Sequence, residues 1–204
     1  MSQAAAENRS AGFSISREGL SLYWLALGCL LAGPWADTQT FVLDRSSLEN
    51  WEVWRIWTGQ LVHITWPQLA LNMVGLLVLQ QLFGTELKYP VWMTGFIVIS
   101  AGIGFGWVFI SNGGWLPLFS TDKVTGFSGL LHGLFALGAC LAVNRDRLLT
   151  VVALMAVGGK ILWEQFNGAP ELTTEFIGTP VAIDIHLYGF ISGLVLGGLI
   201  LFRR

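Results

Sequence analysis

The chain has 204 residues, of which 53% are hydrophobic and 12% are charged, with a formal charge of -2. The apolar residues gather in long runs instead of alternating with polar ones, which excludes an ordinary soluble domain and points to a membrane protein. A near-neutral charge supplies no basic stripe of the kind nucleic acid requires.

A bilayer core needs roughly 20 residues of helix. Six runs approach that length: 20–35, 66–83, 89–110, 124–143, 148–166 and 181–202. The expected fold is therefore an all-α membrane protein, a bundle of six transmembrane helices over residues 20–204 behind a cytoplasmic N-terminal segment, 1–19. The first run is short enough to suit a signal peptide, but its leader mixes Arg9 and Arg17 with Glu7 and Glu18, which favours a retained helix. With both termini cytoplasmic, Arg9, Arg17, Lys88, Arg145, Arg147, Arg203 and Arg204 lie inside, against Arg45, Arg55 and Lys123 outside. That distribution obeys the positive-inside rule. Cys29 and Cys140 fall within expected helices, where a free thiol packs as a small apolar group.

Residues 36–65 form a long first outer loop, and its Trp51, Trp54 and Trp57, with Trp66 just beyond it, suit the headgroup layer, where amphipathic rings anchor segments along the interface. Arg55 can satisfy several loop carbonyls or a lipid phosphate with its fixed fork. His63 precedes the second helix and is expected to order this loop.

In that topology the polar residues at membrane depth share one level. The second helix enters from outside with Gln68 and Asn72, the fourth with Ser128, and the sixth with His186. Lipid cannot satisfy such groups, so they are expected to face the bundle interior or a wet cavity. A single intramembrane serine often only bonds its own backbone, and a single histidine often only bridges helices. The glycines around them add a reason for contact. Gly126 and Gly129 flank Ser128, while Gly189, Gly193 and Gly197 lie within about 60° of His186 on one stripe of the sixth helix. Small residues so spaced let another helix approach, which would bring the Ser128 hydroxyl to the His186 imidazole.

His132 follows Ser128 by one helical turn on the same face, so its ring is expected to pack against or hydrogen-bond the His186 ring, with a role as a second candidate base as the alternative. On the fifth helix Lys160 and Glu164 stand one turn apart and either pair as ions or contact a substrate. Asp184 lies about 200° around the helix from His186 and points away. No carboxylate is evident as a partner for His186. His63, His132 and His186 are too widely separated for a metal cluster, and neither a metal nor a cofactor is expected.

Trp54-Arg55, His63, Gln68, Asn72, then Gly126-Phe127-Ser128-Gly129, then His186-Leu187-Tyr188-Gly189 with Gly193 beyond, resemble the ordered motifs of rhomboid intramembrane proteases over about residues 20–202. Within that family the likeness is to rhombosortases, because His132-Gly133 follows the serine motif and Lys160, Trp163, Glu164 and Gln165 stand on the fifth helix. Many other rhomboids carry Tyr at the place of His132.

The resemblance implies an intramembrane serine endopeptidase in which Ser128 attacks the scissile carbonyl and His186 is the base of a Ser-His dyad. It also implies oxyanion stabilisation by the Ser128 backbone and Asn72, with Gln68 as a departure where many rhomboids have His. Trp54 and Arg55 would stabilise the outer loop. The implied substrates are exported proteins with a C-terminal Gly-Gly motif, a transmembrane helix and a basic tail, cut at the outer face of a bacterial inner membrane. The rival readings are a general rhomboid without a sorting role, an inactive rhomboid-like protein that binds transmembrane helices, and a small channel or carrier. Few intramembrane charges and no inverted repeat argue against the last.

Overall fold

Capping residues and prolines mark where the apolar runs become helices. The structure, a computed structural model, describes residues 28–29, 33–35, 38–111 and 122–203. The expected N-terminal segment and most of the first expected run lie outside the described residues.

The segment before the first long helix carries strand β1, Leu43–Asp44, and two short helices, α1 at Arg45–Glu49 and α2 at Arg55–Thr58. Asp44 caps α1 by accepting from the Ser47 N–H at 2.8 Å, while Ser47 accepts in return from the Asp44 N–H. Arg55 sits at the centre of this loop: Nη1 donates to the Val42 carbonyl at 3.0 Å and to that of Gln39, and Nη2 pairs with Glu52. Thr58 Oγ1 adds a bond to the Phe41 carbonyl at 3.0 Å. Trp51, Trp54 and Trp66 project outward from it, and Trp57 Nε1 donates to the Ile97 carbonyl at 3.2 Å.

The long helices follow. Thr65 caps α3, Trp66–Phe83, by accepting from the Gln68 N–H at 3.3 Å. Next comes α4, Tyr89–Gly106, prolonged by a π-helical turn, Trp107–Ser111. Strand β2, Lys123–Val124, pairs antiparallel with β1, Leu43 opposite Val124. Helix α5 covers Ser128–Leu141; α6 covers Arg147–Asn167 and is capped by Asp146, which accepts from the Leu149 N–H at 2.9 Å. A short α7, Glu171–Ile177, leads to α8, Ile183–Phe202.

The expected run 124–143 therefore starts as a helix only at Ser128. Val124 is held in the two-stranded pair, and Gly126 has φ +92, which breaks a right-handed helix and is cheap only for glycine.

Among the described residues, three helices are long and apolar enough to cross a membrane: Tyr89–Ser111, Arg147–Asn167 and Ile183–Phe202. Ser128–Asn144 is a shorter apolar helix. Large apolar side chains such as Val74 and Leu77 on α3, Ile97 and Phe105 on α4, Val151 and Met155 on α6, and Val195 and Leu199 on α8 face outward, as lipid-facing surfaces do. The protein is a mostly helical membrane protein.

In lipid the hydrophobic effect does not drive helices together, so close packing must. Helix α5 is the central element, burying Leu130, Leu134, Ala136 and Leu137 among its neighbours. Its closest partner is α8, and the glycines set that distance. A methyl group on Gly189 would overlap the Gly129 carbonyl, and one on Gly193 would overlap the Gly133 carbonyl. The two backbones thus touch, and side chains at the N-terminal ends of both helices are brought to one point. Helix α6 is peripheral, with Thr150, Ile161 and Glu164 as its buried residues.

Candidate active site

Ser128 is the first residue of α5, on a loop fixed from two sides: the Gly126 N–H donates to the Gly59 carbonyl at 3.2 Å, and Val124 pairs with Leu43. First-turn N–H groups of a helix have no acceptor one turn earlier, and the helix dipole favours negative charge beside them. The Ser128 hydroxyl lies 3.0 Å from His186 Nε2 on the first turn of α8. This is the meeting that the Gly189 and Gly193 contacts allow.

His186 is buried, and its other ring nitrogen, Nδ1, lies 2.9 Å from Glu164 Oε2. The expectation that no carboxylate accompanies His186 is corrected here. The partner comes from α6, across a helix interface, and not from neighbouring Asp184. Asp184 does point away: it accepts from the Ser111 hydroxyl, which lies 2.8 Å from the Tyr188 hydroxyl.

Lys160 Nζ donates to Glu164 Oε1 at 2.7 Å and lies 3.1 Å from His132 Nε2. His132 Nδ1 lies 2.6 Å from the Ser128 carbonyl oxygen, and the His132 and His186 rings stack at 4.2 Å. The proton positions follow from what each partner is able to do. Carbonyl and carboxylate oxygens only accept, so Nδ1 carries the hydrogen in both rings, and each Nε2 offers a lone pair. The lone pair of His132 receives Lys160; that of His186 receives the Ser128 hydroxyl.

A parallel arrangement holds Asn72. Its Nδ2 donates to His63 Nε2 at 2.9 Å, while His63 Nδ1 donates to the Leu61 carbonyl at 3.0 Å. His63 is fully buried in the loop before α3, and burial pushes its pKa down from 6.5 to about 4. The ring is therefore neutral near pH 7, as its accepting role requires. Gln68, expected as a second oxyanion donor, spends its amide otherwise: Oε1 accepts from the Ile64 N–H at 2.9 Å, and Nε2 donates to the Thr125 carbonyl at 3.4 Å. It ties the loop before α3 to the loop before α5.

These groups line one cavity of about 540 Å³. Its walls come from α3 (Leu71, Asn72, Gly75), α5 (Ser128, Leu131, His132, Phe135), α6 (Val157, Lys160, Glu164) and α8 (Ile185, His186), with Asp122, Lys123 and Pro180 among its outer rim. Gly126 shapes the turn before Ser128, and Gly129 meets α8 at the Ile185 carbonyl, while Gly189 makes the matching contact from the other side. Trp54 and Arg55 lie at the start of α2, away from the cavity lining. Sequence reasoning missed the His186–Glu164 and His63–Asn72 bonds. The signal for the first was a carboxylate within an apolar helix, a group that membranes tolerate only with a purpose.

A hydroxyl and an imidazole thus meet beside one cavity in a helical membrane protein. Residues 50–203 match the Rhomboid domain family, and the chain belongs to that family. Membership implies an intramembrane serine protease acting on membrane proteins. No curated protein matches the chain.

Proposed function

We propose that this chain is an active six-span rhomboid protease in which Ser128 is the nucleophile and His186 the general base. The observation that carries this reading is the 3.0 Å approach of Ser128 Oγ to His186 Nε2 inside a cavity at helix depth. As Ser128 Oγ forms its bond to the scissile carbonyl carbon, its proton passes to His186 Nε2. The tetrahedral oxyanion is met by the first-turn N–H groups of α5 and by the second amide hydrogen of Asn72, whose first is committed to His63. Collapse breaks the C–N bond, His186 returns the proton to the leaving amine, and water hydrolyses the acyl-enzyme with His186 again as base. Gln68 braces the loops around the nucleophile.

The substrates in this reading are exported proteins with C-terminal Gly-Gly sorting tails, cut at the outer face of a bacterial inner membrane with both termini of the enzyme cytoplasmic. The rhombosortase-like His132-Gly133 pair and the Lys160, Glu164 and Gln165 set support it. A helical segment hides its carbonyls from a nucleophile, and unwinding at glycine costs less than at leucine.

Covalent labelling of the purified protein by a fluorophosphonate, lost in Ser128→Ala, tests the nucleophile and separates a protease from an inactive helix-binding protein. Co-expression with a tail bearing Gly-Gly or Leu-Leu, followed by immunoblotting, tests the substrate. Selective cutting of the Gly-Gly tail is expected, and equal cutting of both identifies a general rhomboid.

A further inference from the structure

Glu164 is an acid on the least buried of the three helices long and apolar enough to cross a membrane, yet it is 2% exposed and both its oxygens are engaged. Oε2 accepts from His186 Nδ1 at 2.9 Å, and Oε1 accepts from Lys160 Nζ at 2.7 Å. An i, i+4 ion pair needs only the second of these bonds. The first costs the carboxylate its remaining freedom and directs it at the base.

We propose that Glu164 is a positioning residue that turns the Ser128–His186 pair into a Ser128–His186–Glu164 triad, with Lys160 holding its far oxygen. The proposal rests on the reading of Ser128 and His186 given above. A carboxylate can only accept, so it selects the His186 tautomer with hydrogen on Nδ1 and leaves the Nε2 lone pair facing Ser128 Oγ. When Nε2 takes the serine proton, the imidazolium forms against an anion already in place, inside a cavity where water screens little. Lys160 meets the other requirement. A buried anion with no counter-ion is costly, and the ammonium on the far oxygen supplies one. The same ammonium fixes His132, whose Nδ1–H grips the Ser128 carbonyl at 2.6 Å. The two residues thus set the base through one bond and the backbone of the nucleophile through another.

The test uses the purified full chain in detergent and a fluorophosphonate probe. Ser128 Oγ forms a bond to phosphorus, the P–F bond breaks, fluoride leaves, and the hydroxyl proton passes to His186. Labelling is followed against probe concentration. Glu164→Gln is expected to lower the maximal labelling rate by about 10²–10⁴-fold, with the half-saturating probe concentration changed less than about threefold because probe binding itself does not use the triad. Lys160→Met with Glu164→Leu removes both charges together, leaving no unpaired buried ion; it is expected to melt near wild type and still label as slowly as Glu164→Gln. Wild-type labelling rates in either variant would make the pair a structural ion pair and overturn the triad alone. No Ser128-dependent labelling of the wild type would overturn the nucleophile and base, and the triad with them.

Discussion

The amide of Asn72 is held by the ring of His63: Nδ2 donates to Nε2 at 2.9 Å, and the ring is pinned by its second nitrogen to the Leu61 carbonyl at 3.0 Å. A loop residue thereby sets the orientation of a side chain on α3 that faces the cavity. The bond exists only while His63 is neutral, since a protonated ring has no lone pair for Asn72.

That dependence fixes a pH response. His63 is depressed from 6.5 to about 4 in the folded protein, so between these values the unfolded chain binds more protons and stability rises with pH. Its contribution is complete above about pH 6.5 and is lost as pH falls toward 4, amounting to roughly 3 kcal/mol across the window. Thermal unfolding in detergent from pH 8 to pH 4 checks it. His63→Gln, which does not titrate, should flatten the acid slope.

The two candidate bases separate by substitution. His186→Ala should reduce cleavage and fluorophosphonate labelling to background while the protein still inserts. His132→Ala removes a stacked ring and a bond to the Ser128 carbonyl and should leave activity within about tenfold of wild type, the scale of a stacking contact. A dead His132→Ala beside an active His186→Ala, both folded, would reverse the assignment.

For the oxyanion, Asn72→Ala should lower maximal turnover by about 10²–10³-fold with little change in substrate capture, because the bond strengthens as charge develops on oxygen. Gln68→Ala should have a smaller effect, since its amide braces the loops at Ile64 and Thr125. Unchanged turnover in Asn72→Ala would remove it from the mechanism.

The α5–α8 contact predicts a contrast among glycines. Gly193→Ala drives a methyl into the Gly133 carbonyl and should cost about 1–3 kcal/mol, with labelling of Ser128 falling as α8 is pushed away. Gly198→Ala, where an added Cβ meets nothing within 4 Å, should leave both unchanged or raise stability slightly. Chemical unfolding in mixed micelles, paired with probe labelling, distinguishes the two.

Much of this was legible in the chain. The run 66–83 coincides with α3, because Thr65 and Pro67 mark its start and apolar residues fill its length. Gly189 and Gly193 announced a close helix contact, because in lipid only small residues allow one. What was hidden depends on rotation between helices. Glu164 and His186 are 22 residues apart, and nothing in either helix fixes how α6 turns toward α8. The carboxylate nearest His186 in sequence is that of Asp184, which the helix angle sends elsewhere. His63 was hidden for another reason: its contact with Asn72 depends on the path of an irregular loop, which no periodicity describes.

The spacing of Lys160 and Glu164 also bears on how the molecule is assembled. A helix that entered the bilayer with a lone carboxylate would need a partner helix already waiting. Because the two charges sit one turn apart on α6, each has its counter-ion on the same helix, so Glu164 needs no other helix to neutralise it. The other carboxylate oxygen is left to accept from His186. The order of synthesis, α6 before α8, therefore leaves no uncompensated carboxylate on α6 to wait for its neighbour.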